Sequence, residues 1–348
     1  MGQKMTSYER VMSVIGRKDF DVFPAINPTS VATTSAMKKA KSYFPDAHID
    51  AEKMAQLAAV GHDHFGFDSC TPYYSVHLEC QALGATVDWK DASNTPYVVS
   101  KPMKKIDDLI IPQNFLEKTE FQALLKAIGI LKKKYRNDVP VIGKVIGPWT
   151  LAYLLYGVEN LTLDVILEPE KTAQLIRDLS VIPIAFAKAQ FDAGADLVTW
   201  ADHTTSDLVS SAVYEKFVLP IHQKAATELG EYGPTILHMC GNIMDRLPHI
   251  VETGFPIFHM DSRNDIEQAL TIVQDKMLIT GCINNPHTLC HGDKSLIKKE
   301  VISNLQKGIS LIAPECALPC NVPSENLLTL TKTTHQYTRS GANVQRVF

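Results

Sequence analysis

The feature that most constrains this chain is an alternation. Short apolar runs, each long enough for one buried strand, are separated by longer stretches with helical periodicity. Eight such runs can be read: Asp21–Asn27, Asp63–Asp68, Val139–Gly147, Ala195–Asp202, Pro234–Cys240, Pro256–Asp261, Met277–Ile283 and Ile309–Glu315. Several follow a glycine that stops a helix, as in "QFDAGAD", "ELGEYGP" and "IVETGFP". Eight buried strands alternating with helices predict an α/β fold closed as a (β/α)8 TIM barrel, with functional groups at the C-terminal ends of the strands. A first helix near Ser7–Lys18 precedes it. The segment from Cys70 to Met103 breaks the pattern and reads as a β-rich excursion, a hairpin over the barrel mouth with its tip around Ser93–Thr95. Pro183 is expected to kink a long helix. No linker divides the chain, so residues 1–348 read as a single barrel domain.

Composition narrows the function. The chain is 45% hydrophobic and 21% charged, with a net charge of −4 and no basic block, so nucleic acid is not an expected partner. "MGQKMTSYERVMSVIGRK" is too polar for the core of a signal peptide, and no run reaches the roughly eighteen apolar residues of a membrane span. Seven cysteines, an odd number, fit a reducing cytoplasm in which thiols stay free or bind metal.

One stretch carries chemistry. "TILHMCGN", Thr235–Asn242, starts as a buried strand and ends in two soft metal ligands. Residues two apart on a strand face the same way, so His238 and Cys240 reach into one cavity at the catalytic end of a barrel. Cys316 stands at the matching place after the last strand. Three ligands with one open position is the usual arrangement of a catalytic zinc. Adding Cys320 would instead close a four-ligand structural site, but Pro319 and Pro323 carry the chain away from the strand end. Taken singly, the cysteines are also ordinary small core residues and the histidine an ordinary hydrogen-bonded one. Zinc held by two thiolates and a neutral imidazole has no net charge. It is a weak activator of water but a good partner for a substrate thiol, which at a pKa of about 8.5 is mostly protonated at neutral pH. The natural reaction is alkylation of that thiol.

Other candidates surround this set. Asp202, Asp261 and Glu315 lie at strand ends, either as a displaceable fourth ligand or as hydrogen-bonding braces. Glu79 is a candidate pocket wall. Arg263 and Lys144 are the basic residues nearest strand ends, though either can also face away. Backbone N–H groups at Gly241 and Asn242 would bind an anion if a helix starts there. Trp149 follows the turn at Gly147–Pro148, either as an apolar wall of the site or as packing. His287 and His291 read as solvated loop residues.

These motifs resemble a known family. "NPTSVATT" (Asn27–Thr34), "GFDSCTPYYSVHLECQALGATVDW" (Gly66–Trp89), "GKVIGPWTLAYLLYG" (Gly143–Gly157), "ILHMCGN" and "APECALPCNVPSEN" (Ala313–Asn326) are similar to the uroporphyrinogen decarboxylase superfamily, and within it to the methylcobamide:coenzyme M methyltransferases of methanogenic archaea. The methanol-pathway form is the expected one, with the methylamine-pathway isoenzyme as the alternative. The resemblance implies Zn2+ on His238, Cys240 and Cys316, a methylcobamide donor carried by a separate corrinoid protein, and coenzyme M as acceptor. Trp149, Asn242 and Arg263 are the expected contacts to these groups. No corrinoid-carrying Asp-x-His-x-x-Gly motif is present, so the corrinoid should arrive with a partner. The decarboxylase alternative needs arginines near the first strand, where "FPAINPTSVATTSAMKK" has none. A third alternative is a zinc-stabilised barrel that only presents a corrinoid protein.

Overall fold

The computed structural model describes residues 4–91, 94 and 96–337. Its strands fall into two groups. β1 (Thr86–Asp88) and β2 (Tyr97–Ser100) form a small antiparallel hairpin. β3 (Ile142–Ile146), β4 (Leu197–Ala201), β5 (Thr235–Met239), β6 (Ile257–Met260), β7 (Leu278–Ile283) and β8 (Leu311–Pro314) lie side by side in chain order, every pair parallel. They are buried almost throughout, as strands covered by helices on one face and by a barrel interior on the other must be. Glycines in the left-handed region, Gly194 after the helix Pro169–Asp192 and Gly254 after Leu247–Glu252, turn the chain back into the next strand. The helix Pro169–Asp192 continues through Pro183.

The first two expected strands are the exceptions. Asp21–Asn27 makes only an isolated parallel bridge, from Ala25 to Ile312. Asp63 ends the helix Ala51–Asp63, and the second bridge falls later than expected, between Cys70 and Val141. These short segments still close the ring. Ile312 N–H donates to Pro24 O and Ile26 N–H to Ile312 O, at 3.1 and 2.8 Å. Asp68 N–H donates to Ala25 O at 2.6 Å, Cys70 N–H to Pro140 O at 3.0 Å, and Ile142 N–H to Cys70 O at 2.8 Å. Side chains replace missing rungs: the Asp68 carboxylate accepts from Ala25 N–H and Ser69 Oγ from Asn27 N–H. Pro24 has no N–H to contribute.

The interior is layered. Ile142, Leu197, Ile236, Ile257 and Leu311 form an apolar floor, and Val11 and Val14 from the helix Ser7–Ile15 seal it from below. Two residues further along, the inward faces of β3 to β6 carry Lys144, Thr199, His238 and His259, and β7 adds Thr280, all buried. A polar layer on an apolar floor therefore marks one end of the barrel.

The 70–103 excursion is less β-rich than expected, because Leu78–Ala82 is a short helix. The hairpin that follows is anchored by Trp89, which donates to Gln81 and lies 4.9 Å from the His48 ring. Met103 N–H donates to Leu155 O at 3.1 Å. Of the expected tip, Ser93 and Thr95 lie outside the described residues. No single helix among the described residues is long and apolar enough to cross a membrane.

Candidate metal centre

His238 sits near the end of β5, Cys240 just beyond it, and Cys316 just beyond β8. The strand ends bring three donor atoms together. His238 Nε2 is 3.1 Å from Cys240 Sγ and 3.5 Å from Cys316 Sγ, and the sulfurs are 2.9 Å apart. All lie within 4.8 Å of one another, and this group could hold a metal ion. A tetrahedral zinc with ordinary bond lengths would set such atoms about 3.5–3.8 Å apart, so the set would have to open by less than about 1 Å. Cys240 and Cys316 are partly exposed, so the cluster faces outward from the barrel.

The imidazole is oriented for this. His238 Nδ1 lies 3.2 Å from the His259 carbonyl oxygen, which can only accept. Nδ1 therefore carries the proton and Nε2 presents its lone pair to the sulfurs, the usual backing of a ligating histidine. The His259 ring lies tilted against His238 at 4.4 Å and donates through Nε2 to Pro314 O at 2.7 Å. Its Nδ1 has no hydrogen-bond partner. Burial, reinforced by His238, pushes His259 down to about 3, so it is neutral. His203, just past β4, is held low for the same two reasons and stands 6.5 Å from the His238 ring. Two thiols this close resist ionising together. The hydrogen bond from Cys240, with His238 and Lys144 nearby, holds Cys316 well below its ordinary value against its burial. The same bond and burial push Cys240 up. A divalent cation would relieve that conflict by stabilising both thiolates.

Cys320 stands apart from this group. Its carbonyl accepts from Thr34 N–H and Oγ1, which fixes the loop elsewhere. The three strand-end carboxylates act as braces. Asp261 accepts from Gly241 N–H at 2.8 Å and Arg263 N–H at 2.9 Å, pinning the turn after Cys240. Gly241 has φ +93°, and a Cβ there would collide with Thr205, so the turn requires glycine. Glu315 accepts from Asn285 N–H and Ser262, fixing the approach to Cys316. Asp202 accepts from Thr150 and pairs with His222.

Several expected contacts fall elsewhere. Trp149 is completely buried, donates to Tyr153 and packs near Phe217, so it is a core residue and no wall of an open site. No helix begins at Gly241–Asn242; the next starts at Leu247. The Gly241 N–H is taken by Asp261, and the exposed Asn242 accepts from Met244 N–H to close its own turn. Arg263 stands exposed at the rim beside Cys240, paired with Asp207 at 3.2 Å and Asp261 at 3.4 Å. His287 and His291 are exposed. Lys144, by contrast, faces inward and is buried, its Nζ 5.0 Å from the centre of the Tyr73 ring. Glu79 is fully buried, accepts from Ile146 N–H at 2.9 Å and from Tyr73, and is pushed up to about 7 by burial. The sequence alone does not single out His203 or His259. For His259 the available signal is its register, directly opposite His238 on the neighbouring strand.

Known proteins share this architecture. A methylcobamide:CoM methyltransferase, MtbA, from Methanosarcina acetivorans is 30% identical over 96% of this chain and 99% of its own. The relative named MtaA from Methanosarcina barkeri is 28% identical over 96% and 99%. The near-equal match to both places the likeness with the group and not with one form. In structure, a methyltransferase from Methanosarcina mazei superposes with a TM-score of 0.90 over 95% of this chain and 98% of its own, at 25% identity. The family model for uroporphyrinogen decarboxylase (URO-D) matches residues 6–337, from the helix that seals the barrel floor to the helix that follows the Cys316 loop, and the chain belongs to that family.

Proposed function

We propose that this protein transfers a methyl group from a methylated corrinoid, carried by a partner protein, to the thiol of coenzyme M, with zinc held by His238, Cys240 and Cys316. The observation that carries the reading is the convergence of these three donor atoms, with the histidine already oriented by the His259 carbonyl. The relatives bear names of the same reaction. The donor set suits the group: two thiolates and a neutral imidazole balance a divalent zinc. Bound there, zinc supplies the Lewis-acid contact by which an incoming thiol gives up its proton.

The chain's own residues do the positioning. Asp261 and Glu315 fix the two loops that carry the cysteines, and His259 fixes the imidazole. In the transfer the acceptor sulfur forms the new S–CH3 bond and the cobalt–carbon bond breaks. Its electron pair stays on cobalt, which leaves as Co(I), and the thiol proton goes to solvent. Holding sulfur and methyl in line is the protein's main contribution, since the reactive bond belongs to the corrinoid. Seven free cysteines suit a reducing compartment, and we place the reaction in the cytoplasm. Decarboxylation of a polycarboxylate is disfavoured: Phe23–Lys39 carries no arginine, and Asn27, Thr29 and Ser30 hydrogen-bond among themselves.

The test is calorimetry of coenzyme M binding to zinc-loaded protein in buffers of different ionisation heat. About one proton should be released per thiol bound. Heats that do not depend on the buffer, at a pH well below the thiol pKa, would rule out thiol activation.

A further inference from the structure

We propose that Lys144 binds the anionic end of the thiol acceptor, which therefore lies with its charged tail down in the barrel and its sulfur toward the mouth; this rests on the thiol-methylation reading above. Lys144 is the centre of β3, pairs in register with Thr199, and belongs to the same buried polar layer as His238. It is 5% exposed. A barrel interior at this depth ordinarily packs branched apolar side chains. An ammonium there is costly unless it is paired and hydrogen-bonded. Yet among the described residues Lys144 Nζ makes no hydrogen bond and no ion pair with a carboxylate; it faces the Tyr73 ring, with the Cys240 and Cys316 sulfurs close enough to act on its charge. Glu79, the nearby acid, spends its carboxylate on Ile146 N–H and the Tyr73 hydroxyl.

Two other donors around the cluster are already used. The Gly241 N–H serves Asp261, and Arg263 is exposed and held by two carboxylates. Among the described residues near the cluster, Lys144 is a buried cation whose donors remain free. Once the two thiolates are balanced by zinc, a thiol acceptor carrying a sulfonate brings the negative charge that this ammonium lacks. An anion held by that ammonium lies inside the barrel near the sulfurs and leaves the mouth clear for the wide corrin. It also selects short acceptors, with the anion a few bonds from the thiol.

The experiment compares the zinc-loaded full chain with Lys144→Met, which keeps length and removes charge. Binding of 2-mercaptoethanesulfonate, 2-mercaptoethanol and ethanesulfonate is measured by calorimetry, with zinc content and thermal melting alongside. The variant should bind the sulfonate thiol about 30- to 1,000-fold more weakly and lose ethanesulfonate binding. The uncharged thiol should change by less than about 3-fold, with zinc unchanged. Melting of the free variant should rise by a few degrees, about 2–4 °C, because an unpaired buried charge is gone. Equal weakening of both thiols would overturn the proposal and assign Lys144 to the sulfur. Unchanged sulfonate binding would overturn it too. If wild-type protein binds ethanesulfonate through Lys144 but neither thiol releases a proton, the anion site stands and the methyl-transfer reading falls.

Discussion

Two buried cations at opposite ends of this barrel, Arg10 and Lys144, are treated in opposite ways. At the N-terminal end, Arg10 is buried beneath the apolar floor, and each of its three side-chain nitrogens has an acceptor. Its guanidinium donates to Asp21 and Asp68 at 2.7 Å each and to Met5 O at 3.1 Å. Asp68 in turn accepts from Ser7, from Ala25 N–H and from His335. At the C-terminal end, Lys144 lacks an ion pair, His259 Nδ1 is orphaned, and two thiols crowd one histidine. The same sheet supports both, so the difference does not come from the fold. A satisfied network ties together the segments that close the ring. An unsatisfied one stores free energy that a ligand can release.

The sharpest way to break this comparison is to empty the functional end. Cys240→Ala and Cys316→Ala should each lose most of the bound zinc, and methyl transfer should fall by more than about 100-fold, beyond what loss of a supporting contact costs. Melting of the metal-free variants should hardly change. Cys320→Ala should keep both metal and activity. Metal content by atomic emission, with a thiol methylation assay using free methylcobalamin, decides it. If Cys320→Ala empties the site while Cys316→Ala does not, the third ligand has been misassigned.

The converse experiment strips the structural end. Arg10→Met leaves Asp68 buried without its guanidinium and should cost about 3 kcal/mol, the low end for a broken buried pair because Ser7, Ala25 and His335 remain. Denaturant unfolding measures this. Zinc content and coenzyme M affinity of the folded variant should match wild type. A parallel loss of affinity would show that the floor transmits to the site and that the ends are not separate.

What the sequence disclosed follows the same division. The six regular strands were legible because both their faces are buried, so they read as unbroken apolar runs. The first expected strand is reduced to a bridge at Ala25, where Pro24 removes a donor and the Asp68 carboxylate takes the Ala25 N–H, and the second falls later, at Cys70, details that periodicity does not report. The donor set was legible because alternation puts His238 and Cys240 on one face. The direction of Lys144 was not, since "IGKVI" is buried at every position and offers no contrast between faces. His259 looks like an ordinary core histidine until the register with His238 is known. Trp149 was ambiguous because the turn at Gly147 leaves open which way a helix N-terminus rotates; here it rotates into the core. The helix Leu78–Ala82 has five residues and no side-chain cap, too little to outweigh the flanking β signals.

The smallest effect sharpens the structural end through pH. Asp21 is lowered from its ordinary 3.8 to about 2. Partial burial works to raise it, and the hydrogen bond from Arg10, with the N–H groups of Val22 and Met5, outweighs that. A carboxylate whose folded value is depressed adds stability that is fully present above its unfolded value, near pH 4. That stability is lost as pH falls through the folded value, near pH 2. Asp21 is only partly shielded, so the contribution after solvent screening is about 1 kcal/mol. Asp21→Asn should therefore be less stable than wild type by about that amount at pH 7, and the two unfolding curves should converge between pH 4 and 2. The measurement belongs on metal-free protein, because acid also strips thiolate ligands and would mix the two ends. A difference that stays constant down to pH 2 would mean that Asp21 acts through packing and that Asp68 alone carries the charge pairing with Arg10.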